Sequence, residues 1–137
     1  QHPQSGQWDI KHMNGGLLDA EFIIQFLTLL NYNRIRANHL LDPIASINQL
    51  LAMGILTNYE ANTLRKALSL WINILWLYRL SIGEREKGAE ISLGLVKRIL
   101  AVSGSSSMKD LRQKMRETSL NISQLFEDTL VSTSKNS

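Results

Sequence analysis

The residues with the widest chemical repertoire stand near the start of the chain, in Trp8-Asp9-Ile10-Lys11-His12-Met13-Asn14-Gly15-Gly16-Leu17-Leu18-Asp19-Ala20-Glu21-Phe22. A cation, a glycine pair and two carboxylates lead into a strongly apolar run. Gly15-Gly16 ahead of a helix is compatible with two uses. In one, the missing Cβ lets the backbone approach a phosphate, which the first amides of the helix meet with partial positive charge. In the other, the glycines only make a tight turn. Spacing alone favours the turn, because isolated glycine pairs are common there. Asp19 and Glu21 lie in the first turns of the helix, where a carboxylate gains about 0.3–1 kcal/mol from the macrodipole. Two residues apart, they project to different sides. Asp19 falls beside the apolar stripe of Phe22, Ile23 and Phe26, where an unpaired charge is costly, so it is expected to take Lys11 or the backbone amides of residues 11–16 as partner. Glu21 shares a polar stripe with Gln25 and is left to face a cleft or another domain.

No complete catalytic constellation accompanies this segment, and no catalytic residue is expected. The three histidines, His2, His12 and His39, lack the paired helical spacing of a zinc site, so no metal site is expected. There is no phosphate-binding P-loop and no Gly-x-Ser-x-Gly elbow. The absence of cysteine excludes disulfides, thiolate metal sites and cysteine nucleophiles, and fits a reducing cytoplasm. A net charge of +3 spread from Lys11 to Lys135 is not the one-sided basic face of a nucleic-acid binder. Lys109, Arg112 and Arg116 do share a face, but Asp110 and Glu117 dilute it into a solvated one. Trp71, Trp76 and Tyr78 are expected in a core rather than stacked on bases. The most apolar run, Ala67 to Ile82, is interrupted by Ser69, Asn73 and Arg79 and falls short of the roughly 20 residues a membrane span needs. Gln1 to Gly6 has no signal-peptide pattern, and without an initiating Met the sequence is expected to be a piece of a longer chain.

The elements that must position these residues are helical. At 44% hydrophobic and 20% charged, the composition is that of a globular domain. The expected fold is all-α, a single bundle of about five helices around a long central one. Residues 1–15 are read as an irregular junction, 16–131 as the bundle and 132–137 as a disordered tail. The first helix runs from about Gly16 to Asn31, with Leu18, Phe22, Ile23, Phe26, Leu29 and Leu30 as its apolar side and Glu21, Gln25, Thr28 and Tyr32 as its polar one. Residues 32–41 form a basic connector with Arg34, Arg36 and His39. Asp42 and Pro43 start a second helix that Gly54 stops, its apolar face Ile44, Ile47, Leu50 and Leu51. Thr57 to Glu60 is a capping box for a long helix to about Ser81, apolar nearly all round in its second half and therefore central. Gly83 to Gly88 reads as an exposed loop. A short helix follows over Leu93 to Val102, interrupted by Gly94. After the Ser103 to Ser107 break, a last helix starts near Met108 with Ser107 as cap and Asp110 at N3. Its seam is Leu111, Met115, Thr118, Ile122, Leu125 and Thr129.

The pattern Asp9-x-Lys11-x-x-x-Gly15-Gly16-x-x-Asp19-x-Glu21-Phe22, followed by Gln25, resembles the segment after the nucleotidyltransferase core in glutamine synthetase adenylyltransferases (glutamate–ammonia ligase adenylyltransferases). The related protein-PII uridylyltransferases share the Lys…Gly-Gly…Asp element, and Glu21-Phe22 favours the adenylyltransferases. The likeness runs on through Leu50-Leu51-Ala52-Met53-Gly54-Ile55-Leu56 into the long and last helices, with Ala20 as a departure where a bulkier apolar residue is expected. The resemblance implies a bacterial, cytoplasmic enzyme that moves AMP from ATP to a tyrosine of glutamine synthetase and removes it in a homologous half. It also implies Mg²⁺ and ATP as cofactors of the full enzyme, and glutamine synthetase and the PII protein as partners. The Gly-Ser-x-Asp…Asp-x-Asp signature of the metal-binding core does not occur here. The implied role is therefore that of an accessory domain, inactive by itself, with Lys11, Gly15, Gly16, Asp19 and Glu21 at the seam with the core and its nucleotide cleft. A free-standing helical interaction module is the alternative, with no membrane or nucleic-acid partner in either case.

Overall fold

One long helix touches all the others, and its sequence explains why. In the computed structural model, which describes residues 13–34, 42–86 and 93–136, α1 spans Leu17–Leu30, α2 Pro43–Ala52, α3 Asn58–Glu86, α4 Leu93–Ser103 and α5 Met108–Asn136, with a single 3₁₀ turn at Tyr32–Arg34. No strand occurs among the described residues. Helix α3 packs against α1, α2, α4 and α5. Ala61, Leu64, Ala67, Leu68, Trp71, Ile74 and Leu77 recur at three- and four-residue steps and are buried along its length. The all-α bundle with a long central helix is as expected.

The local start and stop signals act as read. Asp42 caps α2, its Oδ1 accepting from the amides of Ile44 at 3.1 Å and Ala45 at 3.3 Å. Gly54, at φ +74°, closes that helix, with Gly54 N donating to Leu51 O and Ile55 N to Leu50 O. The capping box of α3 is complete. Thr57 N donates to Glu60 Oε1 at 2.9 Å, and Glu60 N to Thr57 Oγ1 at 3.1 Å.

At the head of α5, Asp110 N donates to Ser107 Oγ at 3.1 Å and Ser106 N to Asp110 Oδ2 at 2.9 Å. The Ser106 amide, aided by Lys114 at 3.4 Å, holds the Asp110 carboxyl below its ordinary 3.8. A carboxylate with a lowered folded-state pKa adds stability above its unfolded value and loses it as pH falls through the folded one. The stability gap between the protein and Asp110→Asn should therefore be present at neutral pH and close on acidification below 3.8, as read by urea unfolding across pH.

Six expectations need correction. The loop placed from Gly83 is helix through Glu86, because a lone glycine costs only about 1 kcal/mol in a helix interior and the residues after it are good helix formers; residues 87–92 lie outside those described. The tail placed at 132–137 is helical as far as Asn136. Thr129 and Thr133 donate their hydroxyls one turn back, to Leu125 O at 2.8 Å and Thr129 O at 3.0 Å, so polarity does not end the helix there. Trp76 is 60% exposed, with the Arg79 guanidinium 5.6 Å from its ring centre, because the buried stripe of α3 passes through Trp71 and Ile74 instead. Ile44 is also exposed, lying off the buried Ile47 and Leu50 side of α2. The faces of α1 differ as well. Leu17, Ala20, Ile23, Ile24 and Thr28 are buried, whereas Leu18, Leu29 and Leu30 are not. Thr28 tolerates burial because its hydroxyl donates to Ile24 O at 2.7 Å. Gly94 does not interrupt α4, since it lies in that helix's first turn.

Candidate functional site

The glycine pair is locked from two directions. Gly16 N donates to Met13 O at 2.9 Å, closing a tight turn, and Gly16 then serves as the extended N-cap of α1. Asp19 reaches back from the first helical turn, its Oδ2 accepting from Gly15 N at 2.7 Å. Of the two partners foreseen for Asp19, the structure thus supplies the backbone; Lys11 lies outside the described residues. The second lock comes from α5. Ser119 Oγ donates to Asn14 O at 2.5 Å, across 105 residues of sequence. Gly15 has φ +75°, and a Cβ on it would lie 1.9 Å from the carbonyl oxygen of Ser119. The close backbone approach that Gly15 permits is therefore to α5. Both glycines are buried and both amides are engaged. The turn, of the two uses open to this pair, is the one the geometry realises.

Glu21 is half-buried on the ridge between two clefts. One, of about 350 Å³, opens toward α2 past Ile24, Thr28 and Ser46. The other, of about 360 Å³, opens toward α5 past Leu18, Phe22 and Phe126. Gln25 borders both, as its shared stripe with Glu21 predicts. A larger groove of about 630 Å³ between α3 and α5 is lined by amides and hydroxyls, including Asn62, Asn73, Thr118 and Asn121. It contains none of the residues singled out near the N-terminus. Among the described residues no three His, Cys, Asp or Glu side chains converge to hold a metal ion, and no helix is long and apolar enough to cross a membrane. Ser119 and Phe126 complete the site from α5. No local pattern marks either, because their roles arise only when α5 lies along α1.

A helical bundle whose Gly-Gly-x-x-Asp lead-in is tied down by its last helix defines the class: an all-α domain with a structurally locked turn ahead of its first helix. The chain belongs to the GlnD PII-uridylyltransferase family, whose model matches residues 1–130. It is similar to proteins named bifunctional glutamine synthetase adenylyltransferase/adenylyl-removing enzyme. That of Bradyrhizobium diazoefficiens is 28% identical over 137 residues, covering 96% of this chain and 13% of that protein. That of Rhodopseudomonas palustris strain HaA2 is 23% identical over 119 residues, with 87% and 12% covered. That of Bartonella quintana is 25% identical over 128 residues, with 93% and 13% covered. The chain thus spans about an eighth of the length of these relatives. No solved structure matches it.

Proposed function

We propose that this chain is a helical accessory domain of a bifunctional bacterial enzyme that adenylylates and de-adenylylates glutamine synthetase in the cytoplasm. In this reading residues 1–15 are the junction to a nucleotidyltransferase core, and the bundle from residue 16 onward carries no catalytic centre of its own. The relatives' shared name supports it, as does the small share of their length that the chain covers. ATP and Mg²⁺ are assigned to the core, because the described residues do not fit them: no carboxylate cluster forms, and both glycine amides are spent. Glutamine synthetase is the protein substrate and PII a regulatory partner.

The observation that carries the role is the double lock on Gly15. By fixing Met13 to Gly16 on both Asp19 and Ser119, it makes the start of α1 a rigid mount. Gly15, Gly16 and Asp19 build that mount, Lys11 precedes it, and Glu21 stands two residues beyond the lock on the ridge facing the core. A rigid mount matters because small misplacements of a reacting centre cost large factors in rate. In the full-length enzyme, Glu21→Ala should lower the rate of AMP transfer to glutamine synthetase roughly tenfold while the melting temperature is unchanged. Unchanged turnover would remove Glu21 from the seam.

A further inference from the structure

Helix α1 has a second apolar face, pointing away from the core. Leu18, Phe22, Gln25 and Leu29 follow one another at four, three and four residues and so share one side. Three of these four are large and apolar, with Leu18 41%, Phe22 42% and Leu29 66% exposed, where a solvated helix side would be polar. Helix α5 extends this surface. Asn14 meets Ser119 and Phe22 meets Phe126, so the two helices run side by side in the same direction. Phe22 stacks on Phe26 at 5.5 Å and tilts against Phe126 at 5.3 Å. One turn beyond Phe126, Leu130 is 40% exposed. A contiguous aromatic and leucine surface of this kind, edged by Glu21 and Gln25, has the apolar centre and polar rim of an interface.

We infer that this α1/α5 face is where the covalently attached nucleotidyltransferase core docks. The inference rests on the accessory-domain reading above and adds the surface to it. Two observations choose this occupant over a second copy or a free protein. The relatives are about eight times longer than the stretch they share with this chain, so most of the molecule is a tethered neighbour. The locked turn at Met13–Gly16 also joins the preceding polypeptide to the bundle at one end of this same face. A covalent tether gives its domain a high effective concentration there, which a diffusing partner lacks.

Carbene footprinting of the full-length enzyme tests this with a matched pair of leucines. Leu29 and Leu120 are 66% and 70% exposed in the bundle, and only Leu29 lies on the face. Leu29 should be labelled roughly fivefold less than Leu120, as desolvated interface centres are, at every enzyme concentration. Equal labelling of the two leucines overturns the inference. So does protection that vanishes on dilution, which identifies a second copy, or protection that arises only when glutamine synthetase or PII is added. The same preparation is assayed for AMP transfer to glutamine synthetase. Failure of the functional reading then shows as absent transfer, and failure of the docking face as an unprotected Leu29.

Discussion

Replacing Gly15 by alanine is expected to lower the unfolding free energy of the chain by about 3 kcal/mol, from two causes that add. The first is conformational: at φ +75° an L-residue with a Cβ loses roughly 1–2 kcal/mol. The second is contact. The new Cβ would lie 1.9 Å from Ser119 O, 2.6 Å from Ser119 C and 2.8 Å from Ser119 Cα, all backbone atoms of a long helix that cannot swing aside. Overpacking of this kind costs about 1–3 kcal/mol. Gly54 supplies the control, because its φ is +74° and nothing lies within 4 Å of its Cβ position. Gly54→Ala should therefore show the conformational part alone, about 1 kcal/mol. Urea unfolding of both variants measures the difference, and equal losses would mean that Gly15 is not pressed against α5. Relief by detachment of residues 13–16 from α5 caps the loss. It would give itself away as faster hydrogen exchange at the Gly15 and Gly16 amides.

That prediction could not be made from the sequence, and the reason is instructive about which features are legible there. Asp42, Pro43, Gly54, Thr57, Glu60, Ser107 and Asp110 act within five residues of their partners, so their spacing reports their roles directly. Asp19 belongs with them, since its partner is four residues away, and burial beside apolar side chains was reason enough to expect one. Ser119 is different. Its hydroxyl meets Asn14 and its carbonyl meets Gly15 only after α5 has packed along α1, and nothing in the neighbouring residues marks it. The orientation of α1 failed for a related reason. Apolar residues surround most of that helix, so periodicity cannot choose between the side with Leu17, Ala20 and Ile24 and the side with Leu18, Phe22 and Leu29. Tertiary packing chose the first, using the small Ala20 and the self-satisfied Thr28 for close contact. The surplus apolar side is the one assigned above to the neighbouring domain. Surplus hydrophobicity on a helix is thus a readable signal, although which side is surplus is not.

Trp71 carries the largest expected loss. It is fully buried at the middle of α3, the helix on which all the others rest, so its ring fills space that no single neighbour can collapse into. Trp71→Ala should cost about 4 kcal/mol, a transfer loss plus the cavity left behind. That is a large share of the roughly 5–15 kcal/mol by which domains are stable. Phenylalanine at the same position separates volume from polarity. Trp71 Nε1 is buried and finds no acceptor among the described residues. An unsatisfied buried donor of that kind costs about 1–3 kcal/mol, which Trp71→Phe removes while giving up only part of the ring. The two effects oppose each other, so Trp71→Phe should lie within about 1 kcal/mol of the parent protein. Tryptophan fluorescence checks the assignment in the same samples. Losing Trp71 should remove its blue-shifted contribution to the emission and leave that of Trp8 and of the exposed Trp76. Should Trp71→Phe instead cost as much as Trp71→Ala, the indole nitrogen would have to be bonded, and the packing of α3 against its neighbours would need a different account.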